Sequence, residues 1–146
     1  RVFRYLKGTM DFSLFYGEGN SSTLTAFTDS DWAGSYDNRV SHRGNCFMIG
    51  NSCVSWLSKK QPTDATSSCE AEYRAAFSAT AECVWFRRLL SNLSLEQLPP
   101  TCIFTDRQSN MAIARNPIFH GQTKHIEVHY HYVREQFHAK KIIKCQ

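Results

Sequence analysis

Two aspartates close apolar segments that share the tripeptide Phe-Thr-Asp, at 27–29 and again at 104–106. In an extended chain, residues two apart point to the same side, so each Phe and its Asp share one face of a strand. If the two strands lie side by side and parallel, Asp29 and Asp106 meet at one end of a sheet. Two close carboxylates repel each other, which indicates a bound cation or a shared proton. The pattern therefore predicts an acidic site where two strands end.

Both positions also have an ordinary structural interpretation. Asp31 shares the face of Asp29 if the strand continues, but it precedes Trp32-Ala33-Gly34, which is typical of a turn, and aspartate is common in turns. We favour Asp29 as the site residue, with Asp31 supporting the site or forming the turn. Asp106 precedes a predicted helix, and aspartate is also a frequent N-cap. The site interpretation of Asp106 gains weight only if a third acid reaches the same end of the sheet.

That third acid lies on a long helix predicted over about 68–93. Stepping by three or four residues from Glu72 gives a wholly apolar stripe of Ala76, Ala79, Cys83, Phe86, Leu90 and Leu93. Glu72 therefore heads the face that packs on the sheet, where an unpaired carboxylate is costly. Glu70 instead fits a capping box with Ser67, and Arg74 can pair with it at i+4. We interpret Glu70 as structural and Glu72 as the functional candidate, with a hydrogen-bonded rim carboxylate as its alternative role.

Apolar patterns and turn residues predict the elements that must position these acids. In chain order, they are a helix over 1–7, strands over 12–16, 24–29, 44–50 and 52–58, the long helix, a strand over 101–106, helices near 108–115 and 123–138, and a last short strand at 142–145. Gly50-Asn51 is a hairpin signal between two of the strands. Residues 17–22, GEGNSS, form a break and are the best candidate for a domain boundary.

Composition bounds the class of protein. The 146 residues are 42% hydrophobic and 21% charged, as in an ordinary soluble globular domain, and the longest apolar runs are too short to span a bilayer. The net charge of +4 is compatible with nucleic acid. Carboxylates gather around the candidate site while Lys and Arg lie elsewhere, which suits a metal site that acts on a phosphate backbone. Without an initiating Met or a signal peptide, we expect a piece of a longer polypeptide.

Cysteines, histidines and tryptophans suggest other sites only weakly. None of the six cysteines forms a CxxC pair, so we expect reduced thiols rather than a zinc site or a disulfide framework. His125 and His129 have zinc-compatible i,i+4 spacing, but no third ligand stands out, so we expect no zinc and interpret His129 as a solvated helix position. We expect Trp56 and Trp85 to lie in the core rather than to stack on bases.

Six segments in this order carry a resemblance: RYLKGT, FTDSDWAG, VSWLSKKQPT, SSCEAEYRA, DRQSN and NPIFHGQTKHIEVHYHYVRE. Together they resemble the ribonuclease H domain of copia-type LTR retrotransposon Pol polyproteins, over nearly the whole chain. The resemblance implies an α/β, ribonuclease-H-like fold with a mixed five-stranded sheet, its first three strands antiparallel, flanked by helices. RYLKGT resembles the end of a reverse transcriptase, so we assign 1–20 to that segment and 21–146 to the ribonuclease H domain.

The resemblance also implies a reaction, a metal-dependent endonucleolytic cleavage of the RNA strand in RNA–DNA hybrids. By position it gives four catalytic and metal-binding residues, Asp29, Glu72, Asp106 and Glu127. Their carboxylates suit two Mg²⁺ ions, with Mn²⁺ as a possible substitute, because these hard cations prefer oxygen ligands. The implied partners are the RNA–DNA hybrid and a covalently linked reverse transcriptase, with no membrane. The implied location is intracellular, in a cytoplasmic virus-like particle or the nucleus.

Two positions depart from the family pattern. Arg107 stands beside Asp106 where relatives commonly have Asn, and Glu127 stands where many relatives have Asp. These departures keep open a second hypothesis, a catalytically decayed module that binds hybrid or supports the adjacent polymerase. A third, another nuclease or an integrase of the same fold, is disfavoured by RYLKGT, which indicates a polymerase neighbour. The role of His125, two residues before Glu127, stays open between product release and proton transfer.

Overall fold

A computed structural model describes residues 1–17, 22–31, 41–60, 68–105 and 124–145, and gives the backbone alone at positions 31, 68–70, 72 and 124–127. In chain order the elements are α1 (Val2–Gly8), β1 (Leu24–Asp31), β2 (His42–Ile49), β3 (Ser52–Lys60), α2 (Ser68–Asn92), β4 (Thr101–Phe104), α3 (Lys124–His138) and β5 (Ile142–Cys145). The predicted helix near 108–115, the proposed cap at Ser67 and the predicted turn at 32–34 lie outside the described residues.

The five strands form one mixed sheet in the order β3-β2-β1-β4-β5. β1, β2 and β3 pair antiparallel, whereas β4 is parallel to both β1 and β5. This confirms the expected fold class. The predicted hairpin is also present, because Gly50 turns the chain between β2 and β3 with φ 58°. Glycine adopts this positive φ without the steric cost that a Cβ would add.

The strand predicted over 12–16 is wrong. Phe12, Phe15 and Tyr16 are exposed, and the segment reaches the sheet through two hydrogen bonds at the start of β3. The Tyr16 hydroxyl donates to the Cys53 carbonyl at 2.6 Å, and the Ser52 hydroxyl donates to the Phe15 carbonyl. Apolar residues alone do not make a strand, since a strand also needs a neighbour that pairs its backbone groups.

The main core lies between the sheet and the helix α2. The predicted stripe is largely confirmed, since Ala79, Cys83, Phe86 and Leu90 are buried, whereas Leu93 is exposed because α2 ends at Asn92. From the sheet, Leu24, Ala26, Phe47, Ile103 and Ile142 complete the cluster, and Val133 adds α3 to it. Phe47 is fully buried, with its ring centroid 5.1 Å from that of Phe86. Both helices therefore cover one face of the sheet.

The expectation of buried tryptophans is wrong for both residues. Trp56 is 70% exposed and Trp85 56% exposed. Trp56 is paired with Cys46 across β2 and β3, on the face of the sheet opposite α2 and α3. Trp85 lies on the outer side of α2, with its ring edge against Phe86. Aromatic content alone does not tell which face of an element the other elements cover.

The expectation of reduced thiols is wrong for Cys102 and Cys145. Their sulfur atoms are bonded, and their Cα atoms lie 5.7 Å apart on the adjacent parallel strands β4 and β5. The two residues are 43 positions apart in sequence, so spacing alone could not pair them. Cys46, Cys53 and Cys83 are free thiols. Among the described residues, no helix is both long and apolar enough to cross a membrane.

The contact between α2 and α3 is aromatic. Tyr73 lies with its ring centroid 6.0 Å from that of Tyr130, and Phe77 stacks on His129 at 3.8 Å. His129 is therefore packed rather than solvated, contrary to expectation. Tyr73 is nearly fully buried, and its hydroxyl has no hydrogen-bond partner among the described residues. Burial, followed by the nearby Tyr130, raises the pKa of Tyr73 above its ordinary value.

Replacing Phe47 by Ala tests the core. Because the side chain is fully buried against Phe86, we expect Phe47→Ala to lower the free energy of unfolding by about 3–5 kcal/mol in urea denaturation. Phe3→Ala is the matched control, since Phe3 is 88% exposed and should change stability by less than about 0.5 kcal/mol. Equal effects of the two substitutions would contradict this core.

Tyr73→Phe tests the unpartnered hydroxyl. At pH 7 we expect no loss of stability, because the removed group is buried without a partner. The pKa of Tyr73 is higher in the folded than in the unfolded chain, so the unfolded chain loses its proton first. Wild-type stability should therefore fall as pH rises past about 10, and fall less in Tyr73→Phe. Denaturation curves across that range check this, with exposed Tyr5→Phe as control; parallel curves for all three proteins would refute it.

Candidate active site

Asp29 lies near the carboxyl end of β1, on the sheet face away from α2. Leu24, Ala26 and Thr28 are buried toward α2, while Phe27 and Asp29 alternate with them and are exposed. One Asp29 oxygen, Oδ1, accepts a hydrogen bond from the Ser30 amide at 2.8 Å. The residue opposite Asp29 on β2 is Gly44, which has no side chain. The Asp29 carboxylate is therefore open on the side toward β2.

The strands that lead into the two Phe-Thr-Asp segments lie side by side. β1 and β4 are parallel, with Phe27 aligned to Phe104. The two rings stack, with centroids 4.9 Å apart and planes 12° from parallel. β4 ends at Phe104, two residues before Asp106, which lies outside the described residues. The convergence of Asp29 and Asp106 stays a prediction, which this register favours.

The helix α2 begins at the same end of the sheet. Its far end is anchored near the start of β1, where Gln97 accepts a hydrogen bond from the Leu24 amide and donates one to the Ser22 carbonyl, both at 2.8 Å. A 25-residue helix is about 37 Å long, so it spans the full length of β1. Glu72, in the second turn of α2, is therefore at the end where β1 finishes. Its side chain is among those not described, and its role stays a prediction.

The helix α3 has the same orientation. It ends close to the start of β4, where the Thr101 amide donates to the Lys141 carbonyl at 2.9 Å, so it begins toward the end where β4 finishes. Near that beginning, Tyr130 and His129 contact the first turns of α2 through the aromatic pairs described above. Glu127 lies in the first turn of α3, and its side chain too is not described. The backbone thus brings three of the four predicted positions to one end of the fold.

A shallow groove of about 550 Å³ runs over the open face of the sheet to Asp29. Its lining includes Phe27, Asp29, Cys46, Leu57, Phe104 and Thr105. Apart from Asp29, most of this lining is apolar or aromatic. Sequence reasoning missed the groove, although the two Phe residues of the repeated tripeptide were its visible signal.

Sequence reasoning also missed a polar cluster beneath α2. Both carboxylate oxygens of Glu82 accept hydrogen bonds, from Asn45 Nδ2 at 3.2 Å and from the Ser55 hydroxyl at 3.0 Å. Because both oxygens are engaged with the sheet, Glu82 serves the packing of α2 rather than a metal ion. The Ser30 hydroxyl and Arg43 Nε, on paired residues next to Asp29, are buried without a hydrogen-bond partner among the described residues.

Among the side chains that the structure describes, no three His, Cys, Asp or Glu residues are close enough to hold a metal ion. Of the four predicted ligands, only Asp29 has a side chain that the structure describes. The described part of the chain therefore leaves the proposed ligand set untested. The backbone positions of Asp29 on β1, Glu72 on α2 and Glu127 on α3 lie at one end of the fold.

Retrotransposon polyproteins are among the relatives that match this chain, although no protein-family model does. It is 40% identical over 136 residues to the Retrovirus-related Pol polyprotein from transposon RE2 of Arabidopsis thaliana, and 39% identical to that from transposon RE1. The polyprotein from transposon TNT 1-94 of Nicotiana tabacum is 40% identical over 134 residues. These matches cover 92% or 93% of this chain but only 9% or 10% of the relatives, so the chain spans about a tenth of their length.

Solved structures show the fold. LC11-RNase H1, isolated from compost by a metagenomic approach, superposes with a TM-score of 0.57 over 86% of this chain and 84% of its own, at 13% identity. The same enzyme in complex with an RNA/DNA hybrid gives a TM-score of 0.54 over 84% and 85% of the two chains, at 8% identity. The five-stranded sheet and its helices thus have the ribonuclease-H-like fold, and over 93% of its length the chain is homologous to one segment of retrotransposon Pol polyproteins.

Proposed function

We propose that this chain is a metal-dependent endoribonuclease that cleaves the RNA strand of RNA–DNA hybrids during retrotransposon reverse transcription. The observation that carries the proposal is the parallel alignment of β1 with β4, in which Phe27 is stacked on Phe104. That alignment brings the ends of β1 and β4 together, and α2 and α3 begin at the same end. The likeness to an enzyme solved with an RNA/DNA hybrid supports the choice of substrate.

Four carboxylates would hold the metal: Asp29, Glu72, Asp106 and Glu127. An all-oxygen donor set fits Mg²⁺, or Mn²⁺ in its place, better than a soft cation, and the open carboxylate of Asp29 fits that chemistry. When bound, the divalent metal supplies an activated water and stabilises charge on the leaving oxygen. The protein's part is to hold these acids at one end of the sheet, beside a groove open to the substrate.

Lys60 on β3 fits a contact with the phosphate backbone. Across the three antiparallel strands, Asp31 is in line with His42 and Lys60, and because side chains alternate along a strand, this row shares the face of Asp29. Lys60 is exposed. Neighbouring strands lie about 4.8 Å apart, so Lys60 is about 10 Å from β1. A cation at this distance can hold a phosphate of the hybrid while Asp29 remains at the scissile one. Lys59, the exposed residue before it, lies on the opposite face.

The amino-terminal segment is proposed as the end of the reverse transcriptase, over residues 1–20. All of α1 is exposed, including the large apolar side chains of Val2, Phe3, Tyr5 and Leu6. Such a row of exposed apolar residues fits a helix that packs against a neighbouring domain. The polyprotein relatives, about ten times longer than this chain, are consistent with a covalently linked neighbour.

The alternative is a decayed module that binds hybrid without cutting it. Arg107 next to Asp106, and Glu127 in place of Asp, are the features that favour it. The two proposals differ in one measurement, since a decayed module would retain hybrid binding while cleavage is absent with either metal.

Asp29→Asn tests the acidic site. We expect the 146-residue protein to cut a labelled RNA–DNA hybrid with Mg²⁺, and to cut neither DNA duplex nor any substrate in EDTA. Asp29→Asn should lower the cleavage rate at least about a hundredfold with unchanged thermal unfolding, because the carboxylate is lost without loss of packing. Asp11→Asn, an exposed acid outside the site, is the control. Full activity of Asp29→Asn would refute the assignment, and binding without cleavage by the wild type would favour the decayed module.

Lys60→Ala tests this contact. We expect a KM for hybrid raised several-fold, with kcat unchanged and a salt dependence that is less steep, because one phosphate contact is lost. Lys59→Ala, which removes the same charge from the opposite face, should leave KM unchanged. If both variants raise KM equally, net charge rather than the position of Lys60 is responsible.

A further inference from the structure

We propose that Cys46 and Cys53 form a thiol–disulfide exchange site on the open face of the sheet, which takes small-molecule disulfides of the glutathione type. The two sulfur atoms lie 3.4 Å apart across the β2–β3 hairpin. The bond length in a disulfide is about 2.0 Å, so closing this gap needs a shift of about 1.4 Å. This site is independent of the proposed nuclease activity.

The local backbone can supply that shift. Cys46 pairs with Trp56, and Cys53 pairs with Met48, and the register between β2 and β3 changes between Phe47 and Met48. This irregularity lies between the two pairs. A β-bulge interrupts the ladder locally and bends the strand, so it deforms more easily than a regular pair. The two thiols are therefore close together beside the irregular point of the hairpin.

Both thiols are also accessible to a reagent. Each is only partly buried, and Cys46 lines the groove that leads to Asp29. Cys83, by contrast, is fully buried on the face of α2 that packs on the sheet. Burial raises the pKa of the Cys83 thiol, and burial together with Cys53 raises that of Cys46. Because only thiolates exchange, reaction at Cys46 should accelerate as pH rises above neutral, while burial protects Cys83.

The chemistry balances without any other co-reactant. One protein thiolate attacks a sulfur of glutathione disulfide, forming a mixed disulfide and releasing one glutathione thiolate. The second protein thiolate then attacks the protein sulfur of the mixed disulfide and releases the second glutathione. The protein pair loses two protons and two electrons, and the small disulfide is reduced to two thiols. The product is a disulfide between neighbouring strands, on the same face as the bond between Cys102 and Cys145.

Oxidation would change the groove without touching the acids. Cys46 is paired with Phe27 across β1 and β2, and Phe27 stacks on Phe104 in the lining of the groove. A bond from Cys46 to Cys53 would tie the wall of the groove to the sheet edge. Oxidation by a small disulfide would therefore change the shape of the open face. The effect of that change on cleavage is measured separately from the formation of the bond.

Mass spectrometry of one tryptic peptide tests the site. Cleavage after Arg43 and Lys59 gives peptide 44–59, which contains Cys46 and Cys53 and no other cysteine. The folded protein is incubated with glutathione disulfide at pH 8, its thiols are blocked with N-ethylmaleimide, and it is then denatured and digested. We expect peptide 44–59 to lose two hydrogens and to carry neither glutathione nor maleimide. Peptide 75–87 contains Cys83 alone and should stay unmodified by glutathione in the folded protein.

Two comparisons make the outcome decisive. In Cys46→Ser and in Cys53→Ser, the remaining thiol should carry one glutathione, because no second thiol is present to displace it. Urea-unfolded protein should form the 46–53 bond at least about tenfold more slowly, because the fold no longer holds the sulfurs together. Two glutathiones on peptide 44–59, or equal rates in folded and unfolded protein, would overturn the proposal. Neither outcome depends on nuclease activity, so the two proposals fail independently.

Discussion

The parallel pairing of β1 with β4 is the constraint on which the rest of the structure depends. Two strands that are distant in the chain can run in the same direction only if a long connection returns the chain to the starting edge. The β1–β2 and β2–β3 connections and α2 provide that return. The hydrogen bond from the Leu24 amide to Gln97 then fixes the end of the connection at the start of β1. Once β4 is in place, β5 adds beside it, and α3 must lie alongside α2 to reach β5.

One face of the sheet is sealed and the other is open. Helices α2 and α3 cover the side where Phe47 and Ile103 lie, and the core there is fully buried. On the other side Phe27 and Trp56 remain partly or largely exposed. The reactive groups discussed above, Asp29 and the Cys46–Cys53 pair, all lie on the uncovered side. Stability and chemistry are thus separated between the two faces, so that changes on one need not disturb the other.

The periodic features of this fold were predictable from sequence, whereas features that depend on neighbours were not. The apolar stripe of α2, the hairpin at Gly50 and the alternation around Phe27 each follow from local geometry and appear in the structure. The bond between Cys102 and Cys145 and the exposure of Trp56 depend on which elements lie beside them. For the candidate site, the sequence predicted which residue types take part and at which end of the sheet they lie. Asp106 itself lies outside the described residues.

Glu82 gives α2 a fixed axial position. Its two hydrogen bonds, to Asn45 on β2 and Ser55 on β3, are lost if the helix slides along its axis by a single residue, a distance of about 1.5 Å. A helix is stiff along its length. An axial displacement of the backbone at Glu82 would therefore move the backbone at Glu72, ten residues earlier in α2, by the same distance. One polar anchor in the middle of the helix thus sets the position of the Glu72 backbone along the helix axis.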